Sequence, residues 1–102
     1  MVGYAVEQLE CNEWLEYTVD VRKAGIYSVE IRAASAMHGG MLHLEFDGID
    51  KSGCVSIPGT GGWQEWRSVT VEECVLEPGE RVLRLVCDSG RFNLNCMEFK
   101  CR

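Results

Sequence analysis

"RVLRLVCDSGRFNLNCMEF", residues 81–99, is the stretch that decides the fold. It reads as two apolar strands, "RVLRLVC" (81–87) and "FNLNCMEF" (92–99), joined by a turn at "DSGR". Strict alternation in the second strand puts Leu94 and Cys96 on one face. Asn93, Asn95, Met97 and Phe99 then share the other, unless a bulge intervenes. Two asparagines are poor strand formers. Their place near a strand start gives their amides a structural or a ligand-directed task.

The same two-residue period runs outward from there. "WLEYTVDV" (14–21) sets Leu15, Tyr17, Val19 and Val21 against Trp14, Glu16, Thr18 and Asp20. "KAG" (23–25) turns the chain into "IYSVEIRA" (26–33), with Tyr27, Val29, Ile31 and Ala33 on one face. "MLHLEFDG" (41–48) opposes Leu42, Leu44 and Phe46 to His43, Glu45 and Asp47. "CVSI" (54–57) ends at Pro58, and "WRSVTVEECVL" (66–76) is followed by the turn "EPGE". Short alternating strands separated by Gly, Pro and Asp predict an all-β antiparallel sandwich or barrel. No stretch carries an apolar stripe of helical period. The 102 residues suit a single domain, 1–102, and the 46% apolar content supplies a core.

Net charge is −6, which argues against nucleic acid or an anionic membrane as partner. No apolar run reaches the ~18 residues of a membrane span. The opening "MVGYAVEQLE" shows no secretory signal, so the chain is expected either inside the cell or as part of a longer secreted protein. The six cysteines, Cys11, Cys54, Cys74, Cys87, Cys96 and Cys101, contain no C-x-x-C pair and predict no zinc site. Cys87 and Cys96 read as small reduced core residues. His38 and His43 read as loop and strand-surface residues, and Trp66 as core. Trp14 lies on the polar face of its strand but is large enough to pack under a loop.

"GTGGWQEW" (59–66) raises a separate question, because three glycines leave Trp63 little local cover. In order and spacing, "VGYAVEQLECNEWLEYTVDV", "KAGIYSVEIRAAS", "GGMLHLEFDG", "IPGTGGWQEWRSVTV" and "LEPGERVLRLVCDSGRFNLNCMEF" resemble carbohydrate-binding module family 6. The related family 35 and the galactose-binding-like jelly-roll sandwiches stand behind it. The resemblance implies a non-catalytic site at the loop end, with a β-linked oligo- or polysaccharide clamped between two rings. On matching positions these are Tyr4 and Trp63. Asn93 would hydrogen-bond the sugar, with Asn95 as the second amide, and Glu16 and Tyr17 would line the base. The family also carries an acidic first strand that supplies ligands to a structural calcium. This chain begins after that position, so no cofactor is expected.

Elementary chemistry agrees with such a site. A pyranose face of C–H groups suits the negative face of an aromatic ring, and amides offer directed partners to hydroxyls. Gly61 and Gly62 would let backbone approach a sugar chain. The expected affinity is modest, about 10 μM to 1 mM, or roughly −7 to −4 kcal/mol. Carboxylate pairs are uninformative in so acidic a chain, and no G-x-S-x-G, H-E-x-x-H or phosphate loop occurs, so no enzyme is expected. The alternative function is a structural or protein-interaction sandwich that has lost the sugar. A vacant first-strand edge would favour a homodimer, unless Val2, Tyr4 and Val6 fold back to occupy that edge.

Overall fold

A computed structural model describes the backbone of residues 2–102 and the side chains from Gln8 onward. Eight strands follow in order: β1 Val2–Glu10, β2 Trp14–Val21, β3 Gly25–Ala34, β4 Gly39–Phe46, β5 Ile49–Asp50, β6 Val55–Pro58, β7 Arg67–Leu76 and β8 Gly79–Cys101. All pairings are antiparallel. One sheet runs β1–β8–β3–β7, and the other runs β2–β8–β4 with β5 and β6 on the far side of β4.

The "DSGR" turn expected between two strands does not form. β8 is one strand of 23 residues that belongs to both sheets. Residues 79–90 pair with β2 and β4, and residues 91–101 pair with β1 and β3. The chain bends at Gly90, where φ is +77°, yet its neighbours keep their ladder bonds, with Ser89 opposite Met41 and Gly90 opposite Gly40. A reversal would have left those groups without strand partners.

Bulges resolve the broken parity. Against β4, the register steps from Met41–Ser89 to Leu42–Cys87, so Asp88 is an extra residue. Against β3 it steps from Arg32–Cys96 to Ala33–Leu94, so Asn95 is another. Each insertion flips the inward set: Leu83, Leu85 and Cys87, then Phe92 and Leu94, then Met97 and Phe99. Cys96 is therefore only half-buried, and the reading of it as a core cysteine is corrected. A third step, opposite Ser28, turns Cys74 fully inward instead. All six cysteines are unbridged. Burial pushes the thiols of Cys74 and Cys87 up to about 11, so both stay protonated at neutral pH.

The core lies between the sheets. Phe46 of β4 meets Phe99 of β8 edge to face, with ring centroids 6.0 Å apart. The turn before β3 is fastened by Tyr27, whose hydroxyl donates to the Lys23 carbonyl at 2.6 Å. Asp47 and Gly48 both take positive φ, 52° and 81°, as a two-residue hairpin of right-handed strands requires. Val2–Glu10 does fold back: β1 pairs along β8 from Val2–Glu98 to Glu10–Arg91. Trp66 is half-buried just before β7 and stands outside the core, contrary to its sequence reading, because the β7 face that turns inward is that of Val71, Cys74 and Leu76.

Candidate functional site

The loop of residues 59–66 is tied down by the backbone of one buried residue, Ser35, just after β3. Thr60 and Gly61 donate their backbone N–H groups to the Ser35 carbonyl at 2.8 and 3.2 Å. Ser35 N–H in turn donates to Thr60 Oγ1 at 3.0 Å. The Ser35 hydroxyl donates to the Arg91 carbonyl at 2.8 Å and accepts from the N–H groups of Met37 and Gly39. A single serine thus joins three segments, and a buried hydroxyl with satisfied partners costs little. Nothing in the sequence pointed to Ser35. Thr60 sat inside the quoted motif, yet only its contact with Ser35 shows its task.

Trp63 follows on this anchored loop and is half-buried. Asn93 Nδ2 donates to the Trp63 carbonyl at 2.9 Å. The two residues that the sequence paired are therefore neighbours, with the amide holding the backbone beneath the ring. Over the ring lies the Arg91 guanidinium, 5.5 Å from its centroid. Arg91 is steered from β1. Its Nε is 3.2 Å from Glu10 Oε1, and with the amide of Gln8 turned oxygen-inward, that oxygen accepts from Nε and Nη2 at 2.8 and 2.9 Å. Strand register explains the geometry, since Glu10 faces Arg91 and Gln8 faces Asn93.

Beside Arg91 opens a cleft of about 420 Å³ lined by Glu10, Cys11, Met37, His38, Gly39 and Gly90 as well as Arg91. That size falls in the range of small-ligand sites, ~300–1,000 Å³. Arg91 belongs both to the cleft and to the Trp63 platform. None of Gln8, Glu10 and Arg91 was legible as a site residue, because their meeting depends on the register between distant strands. Arg91 adjoins "FNLN" in sequence, which is the one signal that could have found it.

Asn95 and Tyr4 belong to the sheet that carries Asn93, and Glu16 to the other. Asn95 is the half-buried bulge residue of β8. The side chain of Tyr4 lies outside the described residues; its backbone pairs with Cys96, four positions along β1 from the Gln8–Asn93 pair. Glu16 is not brought to Trp63. It sits on β2, in the other sheet, on the outward face where Oε1 accepts from Arg84 Nη2 at 2.8 Å. Trp14 stands exposed on that same face, 5.2 Å from the Arg84 guanidinium. Alternation sends Leu15 and Tyr17 inward and leaves Trp14 and Glu16 outside. On β4, across β8 from β2 in the same sheet, His43 holds carboxylates at both ring nitrogens, Asp88 at 2.7 Å and Glu45 at 2.6 Å. Partial burial opposes its protonation, but these bonds and the charges of Asp88 and Asp50 outweigh it and raise its pKa. Among the described residues no three His, Cys, Asp or Glu side chains converge as metal ligands.

The family model for carbohydrate-binding module family 6 matches residues 2–101. The chain belongs to carbohydrate-binding module family 6. In the clotting factor G alpha subunit of Tachypleus tridentatus, a segment is 37% identical over 83 residues, covering 79% of this chain and 10% of that protein. The module thus spans about a tenth of that relative. Among solved structures, the C-terminal family 6 module of a laminarinase from Zobellia galactanivorans aligns with TM-score 0.80 and 26% identity, over 98% of this chain and 90% of that one. A family 6 module of lichenase 5A from Cellvibrio mixtus, solved in complex with cellotriose, aligns with TM-score 0.78 and 29% identity, over 92% of this module and 74% of that chain. Their two-layer architecture agrees with the sandwich described above.

Proposed function

We propose that this module binds a β-linked glycan without cleaving it, at the loop end of the sandwich, with one sugar stacked on Trp63. The observation that carries this reading is the support under Trp63. Asn93 fixes its carbonyl, and Ser35 and Thr60 fix the loop that leads to it. A large ring held in place on an otherwise glycine-rich loop is preorganised for a flat apolar partner. Asn93 spends its N–H on the loop and keeps Oδ1 to accept a sugar hydroxyl. The cellotriose complex of the Cellvibrio mixtus module supports an oligosaccharide as the ligand class. Tyr4 is proposed as the second ring, and Asn95 as a supporting amide.

No metal takes part in this reading, and net charge −6 disfavours nucleic acid and anionic membranes as partners. Titration with xylo-, cello- and β-1,3-gluco-oligosaccharides, followed by tryptophan fluorescence in the presence of EDTA, is expected to saturate in the 10 μM to 1 mM range, about −7 to −4 kcal/mol. A silent titration across the panel at millimolar concentration refutes sugar binding and favours the interaction-module alternative. Saturation that vanishes with EDTA refutes the metal-free site.

The homodimer is proposed through β7, which among the described residues is one of the two end strands of its sheet. Its Val75 is 51% exposed beside Ile26 at 41%, so edge pairing would cover both backbone groups and apolar side chains. β1 occupies the edge of β8 that a vacant first strand was expected to leave open. Sedimentation equilibrium at micromolar concentration is expected to show mass above 11.5 kDa. One species at 11.5 kDa, independent of concentration, excludes the dimer.

A further inference from the structure

The pair Glu10 and Arg91 has chemistry that stacking on Trp63 leaves unused. A guanidinium carries five N–H donors in a fixed fork. Gln8 and Glu10 engage Nε and Nη2, so both N–H groups of Nη1 have no partner among the described residues. Glu10 contacts Arg91 through Oε1, and its Oε2 is likewise without a partner. The two side chains line the same cleft and keep substantial exposure, 42% for Arg91 and 58% for Glu10. Their orientation is not left to solvent. The Trp63 ring holds the guanidinium on one face, Gln8 holds its edge, and register places Glu10 directly opposite it.

A fixed donor beside a fixed acceptor matches a particular chemical group. Two hydroxyls on adjacent carbons present one oxygen to accept and one O–H to donate. A carboxylate ligand would meet the donor but would also face the Glu10 charge. We infer that the cleft beside Trp63 is a sugar subsite in which Arg91 and Glu10 read a vicinal diol, making them specificity-determining residues. The inference rests on the glycan-binding reading above. It selects for a pyranose with adjacent free hydroxyls, and against a unit in which substitution or deoxygenation separates them. Met37 and Gly39 supply apolar wall to the cleft, and Gly90 leaves its floor open.

The test uses methyl β-D-glucopyranoside, methyl β-D-xylopyranoside and the 3-deoxy analogue of each, in which no two free hydroxyls are adjacent. Binding is read from NMR shifts of the tryptophan indole N–H groups in the whole chain. The unmodified module is expected to prefer each parent glycoside over its 3-deoxy analogue by about tenfold, the effect of one hydrogen bond to a charged group. Arg91→Met keeps an apolar stem near the ring but removes the donors. It is expected to weaken the parent about tenfold while bringing the parent-to-deoxy ratio near one. Glu10→Gln, which preserves shape, is expected to shrink the same ratio and serves as the second variant should Arg91→Met fail to fold. A merely structural role would weaken both ligands equally and leave the ratio intact. An unchanged ratio in the folded variants, with Trp63 still required, overturns the diol assignment alone. No shift with either parent glycoside overturns it together with the glycan-binding reading.

Discussion

Trp63→Ala is expected to weaken glycan binding by about 100-fold, ~2.7 kcal/mol, while the protein stays folded. The loss is large because total affinity is modest and one ring supplies most of the apolar contact. The fold should survive because the residue's structural bond is made by its backbone: Asn93 Nδ2 donates to the Trp63 carbonyl, not to the indole. Thr60 and Gly61 also keep their bonds to Ser35. What the fold loses is the contact with Arg91, about 0.5–1 kcal/mol at a partly exposed site. Titration with the best ligand of the panel and a urea melt measure both quantities. Binding within threefold of the unmodified module would remove Trp63 from the site. Coincident loss of binding and of cooperative unfolding would make it a structural residue instead.

Gly90→Ala is expected to be among the most damaging glycine-to-alanine changes, together with Gly39→Ala, whose added carbon would land on the Ile57 carbonyl oxygen. At the bend of β8 the backbone has φ +77°, which any residue with a Cβ adopts at a cost. The added carbon would land on the Gly39 carbonyl oxygen, too close for any contact, and 2.6 Å from Gly40 Cα. Both obstacles are backbone, so no rotamer relieves them. Strain and overpacking together should cost about 3 kcal/mol or more. In a domain of this size that lowers the thermal midpoint by roughly 12–24 °C. Gly61→Ala is the control for conformation without crowding. Its φ is +94°, but no atom lies within 4 Å of the added carbon, so about 1 kcal/mol is expected. Equal effects at the two positions would show that the close passage of β4 and β8 is not a determinant of stability.

These outcomes bear on how sugar affinity is divided. Trp63 offers a flat surface that any pyranose face can use. In the proposed subsite Glu10 and Arg91 offer directed groups, which would discriminate because an unmet donor or acceptor is costly once covered. The groups of the proposed subsite come from β1 and from beside the bend of β8, so if it reads the sugar, a change in the β1 register alters recognition without touching the tryptophan loop.

Alternation and composition were enough for the layer architecture and for the aromatic half of the candidate site. Alternation in 14–21, 26–33 and 41–48 fixed which side chains enter the core, because in a strand successive side chains take opposite faces. The glycine-rich "GTGGW" and the amides of "FNLN" marked Trp63 and Asn93, since both residue types were out of keeping with their local surroundings. Only the tertiary structure decided the rest. A bulge is set by which partner strand a residue must match, so Asp88 and Asn95 became the extra residues through the registers of β4 and β3. That choice turned Cys96 outward and made residues 79–101 a single strand shared by two sheets. Ser35 met Thr60 across 25 residues, and Glu10 met Arg91 across the β1–β8 pairing. Hydrogen bonds of that kind join side chains remote in sequence and leave no period in it, which is why the aromatic half of the site was legible in the chain and the charged half was not.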